Sequence, residues 1–248
     1  MTVRRDDEVA GLREAGRVVR QCLLEMSDRV RAGVTTAQLD EVAAGVFRRN
    51  GARSAPVLVY GFPGQACISV NDEIVHGVPS GRVLRDGDLV KLDVTAEKGG
   101  YMADAAVTVG VGTVPPDTRA LVDCARRAFR RAMRVARAGE RLSAIGRAIE
   151  AEVKRSGFSV VRELAGHGIG RTIHEEPTVL NFEDPRDRRR LVEGMVLAVE
   201  PIIAMGSGRS ETAADGWTIR TVDGALAAHY EQTIIVTAGA PILVTEAA

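Results

Sequence analysis

Residues 90–109, VKLDVTAEKGGYMADAAVTV, are two β-rich runs flanking Lys98-Gly99-Gly100, a composition that reads as a β-hairpin. Each run carries one aspartate. With the turn centred between Lys98 and Gly99, Asp93 stands directly opposite Asp104. Opposed side chains on one face of a hairpin have Cβ atoms about 4.5–5.5 Å apart. Two carboxylates that close repel and destabilise the pairing, and a cation between them reverses the sign. Two metals about 3.5–4 Å apart would be bridged naturally by such a pair. The alternative puts one aspartate on each solvent face or at the hairpin end.

Other acids point the same way. Glu200 lies in the apolar run MVLAVEPII, so it should be buried, and a buried carboxylate needs a partner. That partner is a metal or, more ordinarily, an Arg or Lys. Glu231 opens the apolar run of AHYEQTIIVT. Histidine is scarce, with four in all: His76, His167, His174 and His229. His167 sits in GHGIG and His174 in HEEP, a glycine-rich loop in which the backbone can approach a ligand closely. Four carboxylates and an imidazole are hard and borderline donors. They suit Mn, Fe, Co or Zn, and no thiolate set for a structural zinc is present.

Helical spacing of Val9, Leu12, Val19, Leu23, Met26 and Val30 predicts an amphipathic helix over about 7–31. Thr35 or Thr36 caps a second, about 36–50, closed by Gly51. Two more are expected near 118–137 and 143–155, after the break GTVPPDT. Strands are expected at 66–70, 88–95, 101–111, 158–162, 195–204, 216–221 and 228–237, with 162–170 and the charged stretch 182–190 as loops. Residues 32–51 align with 138–157 at an offset of 106, matching Ala32 with Ala138, Gly33 with Gly139, Leu39 with Ile145 and Gly51 with Gly157. Either any two helices after a glycine look alike, or a helix–helix–strand unit is duplicated and the site lies between its copies.

Lys+Arg and Asp+Glu are both 33, so the chain lacks the basic excess that nucleic-acid or anionic membrane surfaces select. No run approaches the roughly 18 apolar residues of a membrane span, and the charged N-terminus resembles no secretory signal. Cys22, Cys67 and Cys124 are odd in number and scattered, which predicts free thiols and a cytoplasmic location.

In this order the motifs NDEIVHGVP (71–79), KLDVT (91–95), ADAAVTV (103–109), GHGIGRTIHEEP (166–177), AVEPII (198–203) and DGWTIRT with HYEQTIIVT (215–237) resemble the type I methionine aminopeptidases over essentially the whole chain. The resemblance implies an α+β pita-bread fold: a single catalytic domain, 1–248, with pseudo-twofold halves of about 1–112 and 113–248 and a curved antiparallel sheet covered by helices. It implies two divalent metal ions (Co, Mn, Fe or Zn) held by Asp93, Asp104, His167, Glu200 and Glu231. Asp93, Asp104 and Glu231 would be shared, while His167 and Glu200 complete one shell. His76 and His174 would flank the substrate without touching metal, at the scissile nitrogen and the carbonyl oxygen. Glu200 would be the proton carrier, and Cys67, Phe62, His76 and Trp217 the walls of a methionine pocket. The implied substrate is a nascent peptide with a small second residue, with the ribosome open as the place of encounter. The implied enzyme is a cytoplasmic monomer of the short bacterial form, without the type II insertion or a zinc-finger extension.

There are departures from the pattern. Ala103, Ala105 and Ala106 stand around Asp104 where Gly and small hydroxyl residues are usual, Phe62 replaces a Tyr, and Val59 and Ile173 replace aromatics, which predicts a looser pocket. Two rival readings follow from the same fold. One is a Pro-specific peptidase, which usually carries a further N-terminal domain. The other is a non-catalytic binding module, whose relatives typically lose metal ligands.

Overall fold

The computed structural model describes residues 1–245. Helix α1 spans Asp6–Ser27 and buries Leu12, Ala15, Val19, Leu23 and Met26 along one face. It ends four residues before the sequence estimate, leaving Val30 half-buried in the following turn. Helix α2, Thr36–Asn50, starts on a capping box: the Thr35 side chain accepts from the Gln38 backbone N–H, and the Gln38 side chain accepts from the Thr35 N–H. A short α3, Ala55–Tyr60, is absent from the sequence reading; Ser54 caps it and Pro56 opens it. Helices α4, Pro116–Met133, and α5, Ser143–Arg155, form the second pair.

The aligned segments fold alike. Gly33 and Gly139 have φ of 89° and 87°, and both glycines that close the helices, Gly51 and Gly157, are also left-handed. The Gly33 N–H donates to the Leu84 carbonyl and the Gly139 N–H to the Leu191 carbonyl, each at 2.9 Å. The caps differ: α5 follows Leu142 with no side-chain cap.

One sheet carries strands that follow each of the two aligned segments. Its order is Arg53–Ser54, Leu89–Lys98, Tyr101–Gly110, Glu231–Ile235, Val196–Val199, Ala165–Gly168, Glu175–Leu180, every ladder antiparallel. Cys67–Val70 pairs beside Leu89–Lys98, and Ile242–Leu243 beside Glu231–Ile235. Successive side chains of a strand face opposite ways. Leu92, Val94, Ala96, Ala103 and Ala105 join Leu12, Val19, Leu39 and Val46 in one apolar cluster. Leu197, Val199 and Ile234 join Leu121, Phe129, Ile145 and Ile149 in a second. The helices thus cover one face, and the residues between those positions are left for the other.

The hairpin register differs from the one expected. Gly99 and Gly100 both have positive φ, 61° and 82°, which makes them the two central residues of the turn. Lys98 therefore pairs with Tyr101, Asp93 with Ala106, and Thr95 with Asp104. The partner of Asp93 moves by two residues, an even number, so both aspartates keep the same face and become diagonal neighbours. The strand expected over 195–204 breaks at Glu200-Pro201, because Pro201 has no N–H to continue the ladder. Its partner breaks opposite, at Tyr230, and Ile202–Ala204 pairs with Ala227–His229 beyond. The stretch 162–170 is not all loop, since Ala165–Gly168 is a sheet strand. Glu73–Val75 forms a further strand against Ile219–Thr221.

Candidate active site

The uncovered face of the sheet is organised by its register into rows of cross-strand partners. The middle row runs Cys67, Asp93, Ala106, Glu231. Continuing the Gln232–Val199 pairing by one residue sets Glu200 across from Glu231. On one side lies a row with Thr95 opposite Asp104, and His167 opposite Ala198. On the other side Lys91 faces Thr108 and His229 faces Ile202. Asp93, Asp104, Glu231, Glu200 and His167 come from five consecutive strands, or from the residue just past a strand end, and small Ala106 and Ala198 leave space between them.

These groups line a cavity of about 370 Å³ together with Tyr60, Phe62, Cys67, His76, Ile173, His174, Trp217 and His229. Every residue expected at the site is here: the five metal candidates, His76 and His174, and the walls Cys67, Phe62 and Trp217. Phe62 and Trp217 meet edge to face with ring centroids 5.3 Å apart. Ile173 lines the cavity, whereas Val59 is exposed and does not. The aromatic that the sequence reading missed is Tyr60, whose hydroxyl lies 2.5 Å from His174 Nδ1. It stands at the end of α3, and only tertiary packing aims it. His229 was also passed over, although period-two spacing from Glu231 marks it as a residue of the same face.

Asp104, His167, Glu200, Glu231 and His229 are buried, and Asp93 is half-buried. Burial, then the neighbouring Asp104, pushes the Asp93 carboxyl well above the usual carboxylate range. Burial also raises Asp104, against an opposing hydrogen bond from the Thr95 hydroxyl. Glu200 and Glu231 are pushed well up, by burial first and by the other acids second. Burial lowers His76, His167 and His174, so they are neutral imidazoles near pH 7. It lowers His229 to about 3. The Cys67 thiol, buried beside Asp93 and Asp104, is held well above its ordinary value and is a wall, not a nucleophile.

A divalent metal fits this set. Asp104 Oδ1 and Glu231 Oε1 are buried acceptors with no hydrogen-bond donor, a costly state that a cation relieves. Donor atoms of Asp104, His167 and Glu231 lie within 4.8 Å of one another, as do those of Asp93, His229 and Glu231. Glu231 belongs to both groups. His167 Nδ1 donates to the Gly168 carbonyl at 2.9 Å, which leaves the Nε2 lone pair facing inward, 3.6 Å from Glu200 Oε1. His76 adopts φ of 57°, a left-handed conformation uncommon outside glycine, and so is held at the cavity wall by a strained backbone.

Comparison with known proteins agrees with this geometry. The family model for metallopeptidase family M24 matches residues 10–238. Methionine aminopeptidase 2 of Bacillus subtilis (strain 168) is 40% identical over 248 residues, covering 99% of this chain and 100% of that protein. The crystal structure of methionine aminopeptidase from Thermotoga maritima superposes with a TM-score of 0.96 at 33% identity, covering 100% of both chains. Prolidase from Pyrococcus furiosus shares the fold, at a TM-score of 0.81 and 20% identity, with 66% of its chain covered. The fold is therefore the pita-bread fold, and the chain belongs to metallopeptidase family M24, among its methionine aminopeptidases.

Proposed function

We propose that this metallopeptidase releases the N-terminal methionine of peptides with a small second residue, using two divalent metal ions. Asp93, Asp104, His167, Glu200 and Glu231 would hold them, with Glu231 common to both. The observation that carries this reading is the convergence of two donor groups on one shared, buried Glu231 whose Oε1 has no hydrogen-bond donor. The methionine aminopeptidase of Bacillus subtilis, 40% identical over its whole length, supports the choice of substrate.

When bound, the two ions supply Lewis-acid activation of water and of the scissile carbonyl. Glu200 accepts the proton of the attacking water and returns it to the leaving amine. His174 donates from Nε2 to the carbonyl oxygen as it gains charge. Its tautomer is set by Tyr60, whose hydroxyl donates to Nδ1 and so leaves the ring proton on Nε2. Losing such a donor typically costs about 2.7–4 kcal/mol of transition-state stabilisation. His76, also lining the cavity, bonds the scissile nitrogen. Phe62, Trp217 and Cys67 receive the thioether side chain, where sulfur–aromatic contact is favourable.

The donor set suits Mn, Fe, Co or Zn. Three cysteines, all buried and free, support a reducing compartment, the cytoplasm. Among the described residues no helix is long and apolar enough to cross a membrane.

The test is release of methionine from Met-Ala-Ser, with Ala-Pro and Arg-Pro-Pro alongside. Met-Ala-Ser should be cleaved, and Glu200→Ala and Asp104→Asn should each abolish that activity with the fold intact by circular dichroism. Preference for the proline substrates would establish the Pro-specific reading instead. Full activity in either variant would overturn the assignment of these residues.

A further inference from the structure

We propose that α3 is an extended substrate-binding surface, an apolar strip outside the cavity that takes the third to fifth residues of the peptide and favours apolar side chains there. The inference rests on the peptidase reading above and concerns the part of the substrate beyond its second residue.

The mouth of the cavity sets the direction. Of the residues that line it, Tyr60, Glu163 and His174 are exposed, while the acids and the walls of the methionine pocket are buried or half-buried. The methionine end of a substrate is therefore the enclosed end, and the rest of the peptide leaves past the exposed rim. Tyr60 and His174 meet on that rim, hydroxyl to Nδ1. His174 serves the scissile carbonyl, so the chain on the leaving side of that bond emerges next to Tyr60. Tyr60 is also the last residue of α3.

The surface that continues from Tyr60 is the second observation. Val57, Leu58, Val59 and Tyr60 are 37%, 45%, 43% and 46% exposed. The other large apolar side chains exposed among the described residues, Leu24, Val83, Val192 and Val222, are scattered along the chain. Single exposed apolar residues are ordinary, whereas four in succession beside a binding cavity mark an interaction surface. Folding buries only Ala55 and Pro56 of the six helical residues, so the core does not account for the apolar character of the rest. Val57 and Leu58 also line a shallow groove of about 310 Å³ with Ala44, Phe47, Ala52 and Gln65. The apolar surface thus runs from the cavity mouth at Tyr60 to this groove.

The dimensions select the occupant. Six helical residues rise about 9 Å, which three residues of extended peptide cover at about 3.3 Å each. With the second residue held beside the scissile bond, residues three to five cross α3, and the groove meets the last of them. A second copy of this chain fits less well, because a stable dimer buries about 20–30 residues a side and the strip offers four apolar side chains.

The experiment compares two hexapeptides, Met-Ala-Leu-Val-Leu-Lys and Met-Ala-Ser-Gly-Ser-Lys, with Met-Ala-Ser as the reference, on the metal-loaded wild type and on the double variant Val57→Gln, Leu58→Gln. Glutamine keeps helix propensity and removes the apolar surface. The wild type should have a kcat/KM roughly 10-fold higher for the apolar hexapeptide. The difference should lie in KM, because contacts this far from the scissile bond are alike in ground and transition states. In the double variant the two hexapeptides should fall within about twofold of each other, with Met-Ala-Ser turned over as in the wild type. Equal kcat/KM for both hexapeptides in the wild type would overturn the α3 inference alone, whether or not the variant folds, and so would an undiminished preference in a folded variant. A wild type that elutes as a dimer, a variant that elutes as a monomer and no peptide preference in either would assign the strip to a second copy instead. Failure of the wild type to cleave Met-Ala-Ser at all would overturn the peptidase reading along with it.

Discussion

Tyr60 and His174 illustrate what single residues contribute. Tyr60 is half exposed on one side and touches the His174 ring on the other, their centroids 5.7 Å apart. Removing its hydroxyl frees the His174 tautomer without emptying the wall. Tyr60→Phe should therefore lower kcat/KM for Met-Ala-Ser roughly 3–10-fold, the worth of one modest hydrogen bond, with metal content unchanged. An unchanged kcat/KM would remove Tyr60 from the mechanism. The residues that sequence alone brought forward were those set in dense motifs or in apolar surroundings that demand an explanation for a charge. Asp93, Asp104 and Glu200 had such reasons, and all three line the cavity. Tyr60 had none, because its aim depends on how a six-residue helix packs. His229 had one, the period-two spacing to Glu231, and it lines the same cavity.

Among the elements, the hairpin shows where sequence reasoning is strong and where it slips. The expected turn put both aspartates on one face, and an even shift of register left that face intact. The turn centre depended on which two residues take positive φ, and Gly99-Gly100 outcompetes Lys98-Gly99 because lysine resists that conformation. The same strand carries a destabilising residue. Lys91 is 1% exposed, donates from Nζ to the Asn71 carbonyl at 2.7 Å, and is lowered by burial to about 7. Between that value and the ordinary 10.5 the unfolded chain holds the extra proton, so stability rises with pH across this window, and the full cost of the buried charge is present below it. Lys91→Met should stabilise the protein by roughly 1–4 kcal/mol near pH 6.5, with the gain shrinking towards pH 10. The Asn71 carbonyl keeps a donor, the Ala227 N–H at 3.2 Å. Urea unfolding at the two pH values checks this; a pH-independent difference would contradict it. On α2, Thr35→Ala removes half of the capping box and should cost about 1 kcal/mol by the same assay.

At the scale of the whole molecule, the site is a seam where the sheet brings the aligned helix pairs' strands together, and three buried acids and the half-buried Asp93 gather there. That gathering opposes folding until a cation arrives. The four carboxyls are raised in the metal-free protein, so the native state binds more protons than the unfolded chain above the ordinary carboxylate range of about 4. Metal-free stability therefore falls as pH rises through that window, and metal, which needs the ionised acids, removes the penalty. Saturating both sites with divalent metal, each at about 100 times its Kd, should raise Tm by roughly 11–22 °C. The gap between loaded and chelated protein should widen from pH 5 to pH 7.5. Equal gaps at both values would show that the acids are not the ligands.

The most direct measurement of the central claim is hydrolysis of Met-Ala-Ser by protein stripped with a chelator and then given Mn, Co, Fe or Zn separately. The account predicts no methionine release from stripped protein and recovery with at least one of these ions. Undiminished release after complete stripping would contradict it.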